Sequence, residues 1–236
     1  MRYPRRYNVV VPVALGVAGT AAGAALAGAW IGAGIAYAPA AAAMAAATLA
    51  VIVLVAGHRH PHARFGAANG VTTVRVGIVA LVAALIVVET GTEGLWLAVG
   101  LASIGAGLDG VDGWLARRTG LASEFGARFD METDALLILA LSVLVWRHDK
   151  AGAWVLACGL MRHGFVAAGW VLPWLARPLR STARGKTVAV VQIVGLSAAL
   201  APIVPVRSSA IIAAITLATL VWSFAVDIVW LAEQES

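Results

Sequence analysis

The 236-residue chain is 61% hydrophobic and 12% charged, with a mean hydropathy of +0.89. A soluble domain carries roughly a quarter of its residues charged, so this composition excludes a soluble globular fold and points to an all-α, polytopic transmembrane helix bundle. The formal charge of +5 reads as membrane topology and contact with anionic lipid, with no nucleic acid among the expected partners, and the single Cys158 excludes an internal disulfide.

Eight apolar segments follow one another, at roughly 9–35, 39–57, 71–88, 94–118, 124–146, 151–172, 187–205 and 208–231. The first two are rich in Ala and Gly and carry no internal charge, which suits close helix packing. A basic start before an apolar run also resembles a secretory signal. This run exceeds the usual length of about 7–15 residues, so it is expected to stay as the first span. Pro39, Pro61, Pro173, Pro178, Pro202 and Pro205 punctuate the ends of segments. Between the fourth and fifth, Gly120 after Thr119 is a helix stop and Ser123 an N-cap.

Basic residues set the orientation. Arg2, Arg5 and Arg6, then Arg59 and Arg64, Arg117 and Arg118, and Arg177, Arg180, Arg184 and Lys186 all fall on one side. The other side holds Arg147, Lys150 and Arg207 with Glu89, Glu93 and Asp149. This positive-inside bias predicts both termini in the cytoplasm. The expected location is the plasma (inner) membrane.

The fourth and fifth segments carry the chemistry. Asp109 and Asp112 are three residues apart and Asp130 and Asp134 four apart, so each pair shares a helix face. A short connection at 119–122 makes the two helices antiparallel neighbours. Folding the hairpin there places Asp112 and Asp130 about nine residues from its midpoint, and Asp109 and Asp134 about twelve and thirteen. At about 1.5 Å per residue, the four carboxylates converge very roughly 13–20 Å from the turn, toward the cytoplasmic side.

Four anions in a weakly hydrated site must take up protons or cations. Carboxylates alone, without His or Cys, favour Mg²⁺ or Mn²⁺, and two such ions would neutralise all four. A pair of hard cations is a common device for displacement at phosphorus. Gly113 and Gly126 lie near the same level, where the lack of a side chain lets a ligand approach the backbone. Arg117, one turn from Gly113, can hold a diphosphate through its fork, and Ala116 keeps the neighbouring space small. For any one Asp pair, a salt bridge at a helix end is the simpler account. Four acids with two glycines and an arginine exceed it, because ionisable groups at membrane depth are costly. The reading from another class is a divalent-cation transporter or channel built on the Asp cluster. It accounts for the acids but not for Arg117 or the glycines.

Residues 109–134 match, position for position, the signature D-x2-D-G-x2-A-R-x8-G-x3-D-x3-D, and on it the chain resembles the CDP-alcohol phosphotransferase (CDP-alcohol phosphatidyltransferase) family. More loosely the likeness extends over a six-span core, with Asn69-Gly-Val-Thr72-Thr-Val-Arg75 resembling the start of that core's first helix. The resemblance implies a division into residues 1–68, a two-span addition with a basic cytoplasmic loop, and a core at 69–236. It implies transfer of a phosphatidyl, or other substituted phosphate, group from a CDP-linked donor to an alcohol with release of CMP, in phospholipid biosynthesis. CDP-diacylglycerol is the usual donor; another CDP-alcohol is the alternative. Carried over, Asp109, Asp112 and Asp130 are metal ligands, and Asp134 is a metal ligand, the base that takes the acceptor proton, or both. Gly113, Ala116, Arg117 and Gly126 line the CDP site. Ala135 departs from the Lys or Arg that follows the last Asp in many phosphatidylglycerophosphate and phosphatidylinositol-phosphate synthases. Related proteins are often dimers, so a homodimer joins membrane lipid and the substrates among the expected partners.

The acceptor is a small alcohol or a phosphorylated one. Arg128, Arg162, His163, Arg177, Arg180, Arg184 and Lys186 are the cations available to hold it, and of these Arg162, Lys186 and Arg128 are the acceptor-site candidates. Arg162 stands inside a span, and Lys186 follows Gly185 at an anion-friendly helix start. Arg177, Arg180 and Arg184 read as topology charges at helix ends. His58-Arg-His60-Pro-His62 reads as a basic loop rather than a metal site, having no acidic or Cys partner nearby. The nine Trp residues fall mostly near span ends, where they anchor helices at the interface. Asp227, inside the last span, lacks an obvious partner in sequence; an arginine is one option.

Overall fold

The computed structural model describes residues 10–56, 67–119, 124–177 and 182–234, with side chains over 14–51, 70–110, 129–175, 177 and 182–234. The basic His58–His62 stretch and the 120–123 connection lie outside the described residues. Among the described residues there are eight α-helices and no strands: α1 Val10–Ile31, α2 Tyr37–Ala56, α3 Ala67–Ala84, α4 Thr92–Thr119, α5 Glu124–Arg147, α6 Leu156–Val171, α7 Ala183–Leu200 and α8 Val206–Glu233. They match the eight expected segments in number and order. Ala14–Ile31, Ala153–Val171, Ala183–Leu200 and Val206–Glu233 are long and apolar enough to cross a membrane, and α2 and α3 hold shorter apolar stretches. The chain is an integral membrane protein.

By its contacts the chain divides into two units, residues 1–134 and 135–236. In the first, α1, α2 and α3 pack on one another and α3 packs along α4. Lipid offers no hydrophobic drive between helices, so close approach through small residues decides the packing. A Cβ on Gly16 of α1 would stand 2.7 Å from Thr73 of α3, and one on Gly77 of α3 would stand 2.7 Å from Thr20 of α1. α1 ends at Gly32, whose φ of 64° suits glycine, while the Ala33 N–H returns to the Gly28 carbonyl at 3.0 Å.

α3 starts and ends about four residues before the predicted segment. The apolar run Leu85–Val88 looks like helix in sequence, but Leu85, Ile86 and Val87 donate to carbonyls three residues back, and the helix stops. That tightening leaves the Leu81 carbonyl without its usual Leu85 partner. The Tyr37 hydroxyl, on a fully buried side chain, donates to it at 3.0 Å. Tyr37→Phe is expected to lower stability by about 0.5–1.5 kcal/mol, read as an earlier unfolding midpoint in detergent; an unchanged midpoint would show the bond to be replaced.

In the second unit α7 packs on α8, and α6 packs on α8. α7 begins at Ala183 because the Thr182 hydroxyl caps it, accepting from Gly185 N–H at 3.1 Å. α7 starts four residues before the predicted segment; Arg184 lies in its first turn, and so does Lys186, at the helix start expected for it. Arg184 pairs with Asp227 of α8, which supplies the partner that the sequence left open. Gln192, fully buried in α7, donates to the Thr216 carbonyl of α8 at 2.7 Å. A Cβ on Gly159 of α6 would stand 2.5 Å from the Leu139 Cα. The Lys150 ammonium, 9% exposed, donates to the carbonyls of Ala201 at 3.2 Å and Val204 at 2.7 Å, just past the end of α7. Its charge is thus met by backbone carbonyls of the connection between α7 and α8.

Candidate active site

Packing fixes the site before its charges meet. Val76 of α3, Leu49 of α2 and Phe129 of α5 form a buried apolar cluster, with Val17 of α1 against it. Arg75 precedes Val76 and Asp130 follows Phe129. The register that buries these apolar side chains therefore brings the guanidinium beside the acid. Thr133 anchors the same turn, its hydroxyl donating to the Phe129 carbonyl at 2.9 Å. Asp130 and Asp134 stand one turn apart on α5, so both face the same way.

Arg75 meets three carboxylates. Its Nη1 lies 3.0 Å from Asp109 Oδ1 on α4 and also pairs with Asp130 Oδ1, while Nη2 pairs with Asp134 Oδ1. The guanidinium is 2% exposed, whereas Asp109, Asp130 and Asp134 are 33%, 34% and 16% exposed. The cation thus sits at the base of the cluster and the acids at its open side. Asp109, Asp130 and Asp134 each offer a carboxylate oxygen within 4.8 Å of the others. Three formal negative charges against one positive leave an excess of two. An all-oxygen donor set with that excess fits a hard divalent cation.

Three of the four predicted acids thus converge. The fourth, Asp112, lies on α4 with Gly113, Ala116 and Arg117, and Gly126 and Arg128 lie on α5, but the side chains of these residues are outside those described. In the second unit Arg162 is half-buried on α6, and Lys186 is exposed in the first turn of α7 beside Gly185. His163 sits on α6 with its Nδ1 3.1 Å from the Gly159 carbonyl, and Arg177 donates to the Gln234 carbonyl at 2.9 Å.

Arg75 was not among the residues assigned to the site from sequence. In sequence it belongs only to the Asn69–Arg75 stretch that resembles the start of a core helix. The signal is present in the sequence: a cation inside an apolar run, in a chain with four acids at similar depth, calls for a partner.

A family model for CDP-alcohol phosphatidyltransferase matches residues 65–222, 158 of the 236 residues, a segment that contains Arg75 and all four acids. No curated protein and no solved structure matches the chain significantly.

Proposed function

The chain belongs to the CDP-alcohol phosphatidyltransferase family, enzymes that transfer a phosphatidyl group from a CDP-alcohol, and from that premise we propose a metal-assisted transferase of phospholipid biosynthesis that uses CDP-diacylglycerol as donor. The convergence of Asp109, Asp130 and Asp134 around Arg75, inside the matched segment, carries this reading.

Asp109, Asp130 and Asp134, with Asp112 one turn from Asp109, would hold Mg²⁺ or Mn²⁺, as a pair of ions. A bound divalent cation supplies charge compensation to the diphosphate oxygens and to the departing CMP. With Asp112 the acids carry four negative charges against Arg75, an excess of three. Two divalent ions would overshoot that by one; the diphosphate diester brings two negative charges, and Arg117 supplies the positive charge that closes the balance. Arg117 holds the diphosphate by its fork, and Gly113, Ala116 and Gly126 leave room for the nucleotide. Asp134 accepts the proton of the acceptor hydroxyl. The hydroxyl oxygen forms a bond to the lipid-side phosphorus as the phosphorus–oxygen bond to CMP breaks. Arg162, Lys186 and Arg128 bind the acceptor, a small alcohol or its phosphate ester.

The active site faces the cytoplasm of the plasma (inner) membrane, with both termini inside. The charge on Lys150, which counts against this orientation in sequence, is absorbed by the Ala201 and Val204 carbonyls. Residues 69–236 form the catalytic core, and α1 and α2 are an addition to it. A homodimer is the expected assembly. Purified protein given CDP-diacylglycerol, Mg²⁺ or Mn²⁺ and a panel of alcohols and alcohol phosphates should release CMP with one acceptor well above the rest. CMP release only from a CDP-linked polar alcohol would reassign the donor.

A further inference from the structure

We propose that Arg75 is a positioning residue for the metal site: a buried basal cation that pins three carboxylates from two helices while their open side receives the ion. This rests on the metal reading above. Asp109, Asp130 and Asp134 repel one another, and a cation beneath them offsets that repulsion at ligand distance. Arg75 supplies that cation from α3. Its planar fork engages all three, with Nη1 shared by Asp109 and Asp130 and Nη2 on Asp134. Each acid turns Oδ1 to the fork, so one guanidinium bridges carboxylates from both helices.

Exposure decides between this arrangement and simple competition for the site. The guanidinium is buried and the acids are partly open, so an ion arriving from solvent meets the carboxylates first. Arg75 therefore stays bonded when the ion binds, and acts through the ligands as an outer-shell partner does. Lysine carries the same charge but no fork, so it cannot span three carboxylates at fixed angles.

Charge alone and positioning predict opposite signs. Removing a positive charge beside a cation site should tighten metal binding, whereas losing the fork should weaken it. Mn²⁺ binding to purified protein without substrate, read by electron paramagnetic resonance, separates them. We expect wild type to bind Mn²⁺, and both Arg75→Lys and Arg75→Met, folded by circular dichroism, to bind it about 10–100-fold more weakly. Equal or tighter binding in the folded variants would overturn the positioning role. Absence of Mn²⁺ binding in wild type would instead remove the metal reading itself. A measurement on wild type stands apart from folding of the variants. The ¹⁵N-labelled Arg75 guanidinium should show hindered rotation both without and with Mg²⁺, and its release on adding Mg²⁺ would overturn the proposal.

Discussion

Asp134→Asn is expected to lower the rate of CMP release by about 10²–10⁴-fold, the range for loss of a general base, while donor binding stays largely intact. The amide keeps the shape of the side chain and one oxygen, so it can still meet Arg75 Nη2, but it cannot take the acceptor proton. Asp134 is the least exposed of the three acids and stands one turn from Asp130. A base held that firmly needs little reorganisation at the moment of transfer. The check pairs single-turnover CMP release with equilibrium binding of CDP-diacylglycerol. Wild-type turnover in the variant would remove the base role, and lost donor binding would show that the residue acts as a ligand instead.

Asp130→Ala should be more severe and differ in kind. It removes a carboxylate from the ligand group and a partner from Arg75 Nη1, which keeps Asp109 at 3.0 Å. With Asp112 counted, the excess negative charge falls from three to two, too little to draw in a pair of divalent ions. We expect Mn²⁺ binding and activity to fall together, activity by about 10³-fold or more, since metal stabilisation of the transition state is worth several kcal/mol. Asp134→Asn should retain more of the Mn²⁺ binding than Asp130→Ala. Metal titration of both variants beside wild type tests this, and equal Mn²⁺ affinity in Asp130→Ala and wild type would place the ion elsewhere.

The contrast between these variants depends on features that differ in how well sequence reveals them. Helix number and order follow from hydropathy, and the convergence of Asp109, Asp130 and Asp134 follows from helical spacing about a short connection. These are local regularities. The boundaries of α3 do not follow from them: an apolar run such as Leu85–Val88 has the same composition whether it turns or continues as helix, and hydrogen bonding decides. Cross-helix partners were equally hidden. Arg75 reaches acids 34 to 59 residues away, and Arg184 reaches Asp227, 43 residues away. Such pairings are set by which faces the helices bury, through clusters like that of Leu49, Val76 and Phe129. A lone charge in an apolar segment announces that it needs a partner without saying which. Lys150 illustrates a further case, because its partners are backbone carbonyls, which no residue type signals.

The most direct test places purified protein in liposomes with CDP-diacylglycerol and its acceptor, strips divalent ions with a chelator, and follows CMP release and metal flux as Mg²⁺ or Mn²⁺ is restored. A membrane transferase built on this acidic cluster should fall silent without metal and regain CMP release on its return, with no flux of the ion across the bilayer. Metal flux with no CMP formed, or CMP release untouched by chelation, would contradict it.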